Sequence, residues 1–246
     1  MLENHRNVVT YLEGDGDFRS PECIAALKEA DIVVTNPPFS LFREYVKQLV
    51  DYDKKFLIIG SMNAVTYKEI FPLIMQNKIW LGCGFRNMVG FFRSPYEDTA
   101  AATQHREGMI RNSGVHWFTN LDLRKRHEDI ILFKRYKEEP ELFPHYDNYD
   151  AIEVPKTAFI PRDYFGVMGV PITFLDKYNP AQFDILGMTE NLDLYGLKTK
   201  IYTAAECREQ YFKLFGKKGT YDLNAAGVIN GKKVYQRILI RRKAAE

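Results

Sequence analysis

The chain has 246 residues, 34 lysines and arginines against 32 aspartates and glutamates, and 46% hydrophobic residues, a composition that supports a full globular core. No apolar run reaches the length of a membrane span and no leader pattern is seen, so an integral membrane protein is excluded and a cytoplasmic one expected. Cys23, Cys83 and Cys207 lie far apart, without Cys-x-x-Cys spacing or a nearby pair of histidines; that excludes a disulfide framework and a zinc site, and predicts small buried thiols in a reducing compartment.

Asn7 to Leu12 alternates as a short strand, and Gly14-Asp15-Gly16-Asp17 reads as a turn. Pro21 to Ala30 is a predicted helix with Ser20 as N-cap and Pro21 at its first position. The apolar run Ala30 to Thr35 reads as a buried strand, stopped abruptly by Asn36-Pro37-Pro38-Phe39. Two successive prolines fix φ and remove two backbone donors, so the chain must leave the sheet there as a rigid corner. Ser40 is placed as the cap of a helix running to about Val50, with Leu41, Tyr45, Gln48 and Leu49 at helical spacing. Lys55 to Gly60 is a second apolar strand, followed by a helix over Thr66 to Gln76 and a third strand over Lys78 to Cys83. This alternation predicts a parallel, doubly wound sheet.

Met88 to Arg93, Val115 to Phe118 and Ile130 to Tyr136 read as short strands, the last two as a hairpin edge. The stretch Glu97 to Asn112 is polar and poorly periodic, and reads as a functional insertion. Lys137 to Asp150 is acidic and proline-punctuated, which suggests a linker or covering loop. Beyond it, Val170 to Phe174 and Phe183 to Met188 are predicted strands, Ala204 to Phe215 a helix, and Gly166 to Pro171 a tight turn. Asn230-Gly231, flanked by Ala226 to Ile229 and Val234 to Ile240, is a type I′ hairpin signal. The domain expectation is a core over 1–136, a covering segment over 137–155 and a strand-rich region over 156–246.

Ligands of open α/β sheets bind beyond the carboxyl ends of the strands, where the Asn36 corner falls. An exocyclic amine on a flat heterocycle has a delocalised lone pair, so a catalyst must hold its N–H bonds with acceptors and stack the ring. The Asn36 side chain and the Pro37 carbonyl supply acceptors, Pro38 stiffens the corner, and Phe39 supplies the ring; an in-line methyl transfer then needs neither a metal nor a covalent intermediate. An (Asn/Asp)-Pro-Pro-(Tyr/Phe) sequence after a strand resembles the catalytic motif of amino methyltransferases. With Gly14 to Ser20, Trp117 to Leu121 and Gly166 to Pro171 in the same order, nearly the whole chain resembles the EcoRI-type family of adenine-specific DNA methyltransferases.

That resemblance implies an α/β fold, a partial Rossmann-like methyltransferase sheet followed by a carboxyl-terminal strand-rich DNA-recognition region. It implies S-adenosylmethionine as cofactor, with Asp17 and Phe18 on its adenine, and double-stranded DNA as partner. Arg106, Arg111, Arg124, Lys125 and Arg126, then Lys232, Lys233 and Arg237, are the matching phosphate contacts. The glycine-rich cofactor turn of such enzymes is not found, so the expectation includes an amino-terminal segment or partner chain that completes the sheet. Two other readings are an RNA or protein amide methyltransferase and a non-catalytic nucleic-acid-binding fragment or partner subunit. The Pro-Cys nucleophile of cytosine-C5 enzymes is absent.

Overall fold

The computed structural model describes residues 11–84, 89–93, 95 and 106–244. In chain order they form α1 (Pro21–Glu29), β1 (Ile32–Thr35), α2 (Phe42–Asp51), β2 (Lys55–Ser61), α3 (Phe71–Met75), β3 (Trp80–Leu81), β4 (Val89–Arg93), β5 (Met109–Ser113), β6 (Val115–Thr119), β7 (Ile152–Glu153), β8 (Val167–Val170), β9 (Phe183–Met188), α4 (Ala204–Phe215), β10 (Val228–Ile229), β11 (Lys232–Lys233) and β12 (Ile238–Arg242). The fold is mixed α/β, in two compact units: residues 1–70 with 82–121, and residues 71–81 with 122–246. Among the described residues, no helix is long and apolar enough to cross a membrane.

In the first unit β1 runs parallel to β2 in the register Ile32 to Lys55 and Thr35 to Ile58, and β2 is antiparallel to β6. The predicted parallel sheet is corrected in part: β1 and β2 are parallel, while β6, expected at a reversed hairpin edge with Ile130 to Tyr136, pairs antiparallel with β2 instead. The start of β2 is fastened by side chains. Asn120 accepts from Phe56 N at 2.9 Å through Oδ1 and donates to Lys54 O at 2.8 Å through Nδ2. Thr119 Oγ1 donates to Phe56 O at 2.5 Å and accepts from Leu121 N. This clamp gives the Trp117 to Leu121 run its structural meaning. Phe42, Val46 and Leu49 of α2 are buried against the sheet, with the Phe42 and Phe118 rings 5.0 Å apart edge to face. A Cβ on Gly60 would lie 2.7 Å from Phe42 Cζ, so only glycine admits that ring.

The predicted buried strand at Ala30 to Thr35 is half open. Ile32 and Val34 are 48% and 64% exposed, and among the described residues β1 pairs with β2 alone. Ser40 lies inside the 3-10 turn Phe39–Leu41, and the N-cap of α2 is Leu41, with no side-chain cap. The helix predicted over Thr66 to Gln76 is shortened to α3, which follows a 3-10 turn at Met62–Thr66 and starts just ahead of Pro72, a residue that fits only a first helical turn. Most of the Asn7 to Leu12 strand, and 97–105 of the polar insertion, lie outside the described residues; Met109–Ser113 is a strand antiparallel to β4.

In the second unit the sheet order is β7-β8-β12-β9. Gly166 to Pro171 is corrected from a turn to the strand β8, and the chain after Pro171 is a 3-10 helix, Ile172–Lys177, rather than a continued strand. Ile130 to Tyr136 is no strand either, since side chains take its backbone groups: Gln182 bonds both N and O of Ile130, and Asp163 accepts from Tyr136 N. The covering segment carries core residues, with Phe143, Tyr146, Asn148 and Tyr149 all buried. Asn230 and Gly231 have φ of 50° and 73°, the type I′ geometry expected, and Asp147 accepts from both of their N–H groups.

At the centre of this unit Glu153 and Arg237 form a buried ion pair, with 2.8 Å between Arg237 Nε and Glu153 Oε1, and Tyr146 Oη donates to the other carboxylate oxygen. Burial, then the adjacent carboxylate, pushes the Tyr146 hydroxyl far above its ordinary range. Removing one partner leaves the other charged and unpaired. Arg237→Ala should therefore cost about 3–5 kcal/mol of stability, measured by urea unfolding, whereas Lys243→Ala at the exposed Asp184 pair should cost under about 1 kcal/mol. Equal losses for the two variants would refute the central role of the pair.

Candidate active site

The loop ahead of α1 is built from side-chain-to-backbone hydrogen bonds. Glu22 accepts from Glu13 N and Gly14 N, Asp15 Oδ1 accepts from Asp17 N at 3.0 Å, and Ser20 Oγ caps α1 by accepting from Cys23 N at 3.2 Å. Gly16 has φ +79°, a left-handed conformation that suits glycine. Pinned in this way, Asp17 and Phe18 face a cavity of about 730 Å³.

One wall of the cavity is α1, through Cys23, Ala26 and Leu27. Its floor is β1 with Asn36, Pro37 and Pro38, and its far wall is Leu41, Tyr45 and Gln48 of the turn and α2. The sequence pattern therefore splits into two faces. Phe42, Val46 and Leu49 go to the core, while Leu41, Tyr45 and Gln48 go to the cavity. Sequence reasoning missed the second face, although a glutamine on an otherwise apolar helical stripe was the available signal. The Phe18 and Tyr45 rings meet edge to face at 5.0 Å. The cavity thus has Asp17, Phe18, Asn36, Pro37 and Pro38 in its lining.

Asp17 is held by Arg19. Arg19 N and Nε donate to Oδ1 at 2.8 and 3.0 Å and Nη2 donates to Oδ2 at 2.7 Å, while Nη1 lies 3.3 Å from Glu44 Oε2. Each carboxylate oxygen has two acceptor positions, so one remains, on Oδ2. Hydrogen bonds from Arg19 hold the carboxyl down at about 2, against an ordinary 3.8. At the corner, Asn36 is exposed, Pro37 is buried, and Leu41 N donates to Pro38 O at 3.0 Å. Phe39 opens the 3-10 turn, 41% exposed and outside the cavity lining.

The basic residues fare unevenly. Arg106 is exposed, with its guanidinium 4.0 Å from the Phe91 ring centroid, and Arg111 is half-buried on β5. Arg124 is exposed and lies 3.2 Å from Glu128, and Lys125 pairs with Asp176 at 2.8 Å. Lys232 is exposed at the hairpin, and Lys233 lies 4.6 Å from the Tyr221 centroid. Arg126 and Arg237 are corrected. Arg126 is buried 3.8 Å from the Trp80 centroid and donates to Asn77 Oδ1, burial lowering its pKa, and Arg237 is spent on Glu153. Neither guanidinium faces solvent as a phosphate contact would. The cysteine expectation is corrected in part, since Cys207 is buried but Cys23 is half-buried on the cavity wall and Cys83 is exposed.

The family model described as adenine-specific methyltransferase EcoRI matches residues 2–243. The chain belongs to that family. Among related proteins, it is 52% identical over 185 residues to the Type II methyltransferase M.EcoRI of Escherichia coli, covering 73% of this chain and 57% of the relative. It is 37% identical over 254 residues to M.MgeORF184P of Mycoplasma genitalium, covering 98% and 74%. It is also 38% identical over 200 residues to M.MpnI of Mycoplasma pneumoniae, covering 78% and 62%. The chain thus spans between 57% and 74% of the length of these methyltransferases. No solved structure gives a significant match.

For this EcoRI-family chain the Asp17–Arg19 contact carries a defined pH signature. A carboxyl held below its ordinary value keeps its contact through neutral and mildly acidic pH and loses it as pH falls toward about 2. In an NMR titration the Asp17 carboxyl should show a midpoint near 2, returning toward 3.8 in Arg19→Ala. A wild-type midpoint at the ordinary value would remove the proposed clamp.

Proposed function

We propose that this chain forms the catalytic corner and the adenosyl-side cavity of an S-adenosylmethionine-dependent enzyme that methylates N6 of adenine in double-stranded DNA. The observation that carries this reading is the continuous wall from Asp17 and Phe18 to Asn36, Pro37 and Pro38. The volume and apolar lining suit a nucleoside-sized ligand, with Phe18 and Tyr45 for the ring and few polar groups for orientation. When bound, S-adenosylmethionine supplies a methyl group activated by a positively charged sulfur. Asn36 Oδ1 and the Pro37 carbonyl accept the two N–H bonds of the target amine, which turns its lone pair toward that methyl. Phe39, outside the cavity, stacks on an adenine taken out of the duplex. The described residues of the first unit correspond in this reading to part of a Rossmann-like sheet, and the strand-rich second unit to the DNA-recognition region.

Exposed Arg106, Arg124 and Lys232, with the half-buried Arg111 and Lys233 and the Asp176-paired Lys125, remain as phosphate contacts. Among the described residues the far edge of β1 is unpaired, with Ile32 and Val34 exposed, and an unpaired strand edge suits pairing with a further strand.

Asn36→Ala should lower turnover by about 10²–10³ while leaving DNA affinity nearly unchanged. Lys232→Ser should do the reverse, weakening DNA binding and reducing the slope of log K against log salt by about 0.9. Phe39→Tyr should retain activity and Phe39→Ala should not. Near-normal turnover in Asn36→Ala, measured by methyl incorporation into DNA in a chain extended to the length of its relatives, would defeat the assignment. At the β1 edge, Val34→Lys should suppress a concentration-dependent association of the 246-residue chain seen by sedimentation. A wild-type chain that stays monomeric at all concentrations would argue against the open edge as an acceptor.

A further inference from the structure

Resting on the cofactor reading above, we infer that Gln48 is a specificity-determining residue that reads the amino group of the cofactor's adenine from the cavity wall. Gln48 Nε2 donates to Phe18 O at 3.0 Å. A carbonyl oxygen can only accept, so this contact fixes which way the amide faces. Gln48 Oε1 is thereby turned away from Phe18, and it is buried without a hydrogen-bond partner. A buried acceptor left unpaired is unfavourable, and such a group calls for an explanation. Gln48 lines the cavity, so a ligand can bring the missing donor.

The rest of the wall narrows the chemistry of that ligand. The lining is mainly apolar, with the Phe18 and Tyr45 rings beside Gln48. On the other side of Phe18, Asp17 has one acceptor position left after its three bonds from Arg19. A flat heterocycle bearing an –NH₂ group offers two donors in its own plane. Asp17 Oδ2 and Gln48 Oε1 can take one each, and the Phe18 carbonyl, engaged by Gln48, ties the two acceptors together. A site built to hydrogen-bond a substrate N–H discriminates against an analogue that lacks it, because its own polar group is then left unpaired.

The test compares adenosine with purine riboside, which has the same ring and sugar but no amino group, by ligand-observed NMR titration of the full chain. This method reads weak binding. Wild type should bind adenosine roughly ten- to a hundredfold more tightly than purine riboside, as expected for the two hydrogen bonds of the amino group. Gln48→Leu should lower that ratio several-fold, chiefly by weakening adenosine, and leave the share that Asp17 Oδ2 supplies. Gln48→Glu keeps an acceptor while losing the donor to Phe18 O, so it should retain a preference for adenosine. A ratio near one in wild type, an unchanged ratio in Gln48→Leu, or a Glu variant that behaves like Leu would overturn the inference. The last of these results would assign Gln48 to holding Phe18 alone. Equal binding of both nucleosides that is lost in Phe18→Ala removes only the role of Gln48, whereas no binding of either removes the cofactor reading as well.

Discussion

Two adjacent prolines after a four-residue strand are the constraint on which the first unit turns. Neither can donate to a ladder and both fix φ, so β1 stops at Thr35 and the chain cannot continue beside β2. It passes instead through a 3-10 turn into α2, and the angle of that entry decides which face of the helix meets the sheet. Phe42 reaches Gly60 and Phe118, and consequently Leu41, Tyr45 and Gln48 face the other way, over the carboxyl end of β1. One local restriction thus fixes a core contact and a cavity wall together. The Thr119 and Asn120 clamp on the start of β2 keeps the supporting strand in register with it.

The parts of this arrangement that were legible in the sequence are those governed by local chemistry. Ser20 and Pro21 start α1, the prolines end β1, and Asn230-Gly231 makes a hairpin turn, because in each case the decisive atoms lie within a few residues of one another. The failures share the opposite character. Gly166 to Pro171 looks like a turn because glycines favour turns, yet Gly169 is needed in a strand, where Tyr146 occupies the space that a side chain would take. Ile130 to Tyr136 has the composition of a strand, but the side chains of Gln182 and Asp163 take backbone groups at its two ends. Neither partner is visible from the segment itself.

Charge shows the same limit most clearly. Counting cations along 124–127 and 232–243 suggests two basic patches, but position in the fold reassigns several of them. Arg126 is stacked on Trp80 and Arg237 is consumed by Glu153, whereas Lys125, paired with Asp176, keeps its ammonium partly exposed. A guanidinium can bury its flat face against a ring while its edge still finds a hydrogen bond, as Arg126 does on Trp80 and Asn77, and its fork can hold a carboxylate through two nitrogens, as Arg237 does on Glu153. The hairpin differs, since Asp147 grips its turn through backbone N–H groups and leaves the Lys232 side chain in solvent.

The candidate site follows from the same accounting of donors and acceptors. Glu22, Asp15, Asp17 and Ser20 all spend side-chain oxygens on nearby backbone N–H groups, so the loop is ordered without belonging to a helix or sheet. An ordered loop leaves little conformational entropy to be lost when a ligand enters. The same saturation removes most of the polar capacity that the sequence advertises around Asp17. Acceptors that remain for a ligand include Asp17 Oδ2 and Gln48 Oε1, set among apolar walls and two rings. A cavity with few free polar groups selects by the position of each one, so Asp17, Gln48 and Asn36, which all line it, matter more to what it admits than its volume does.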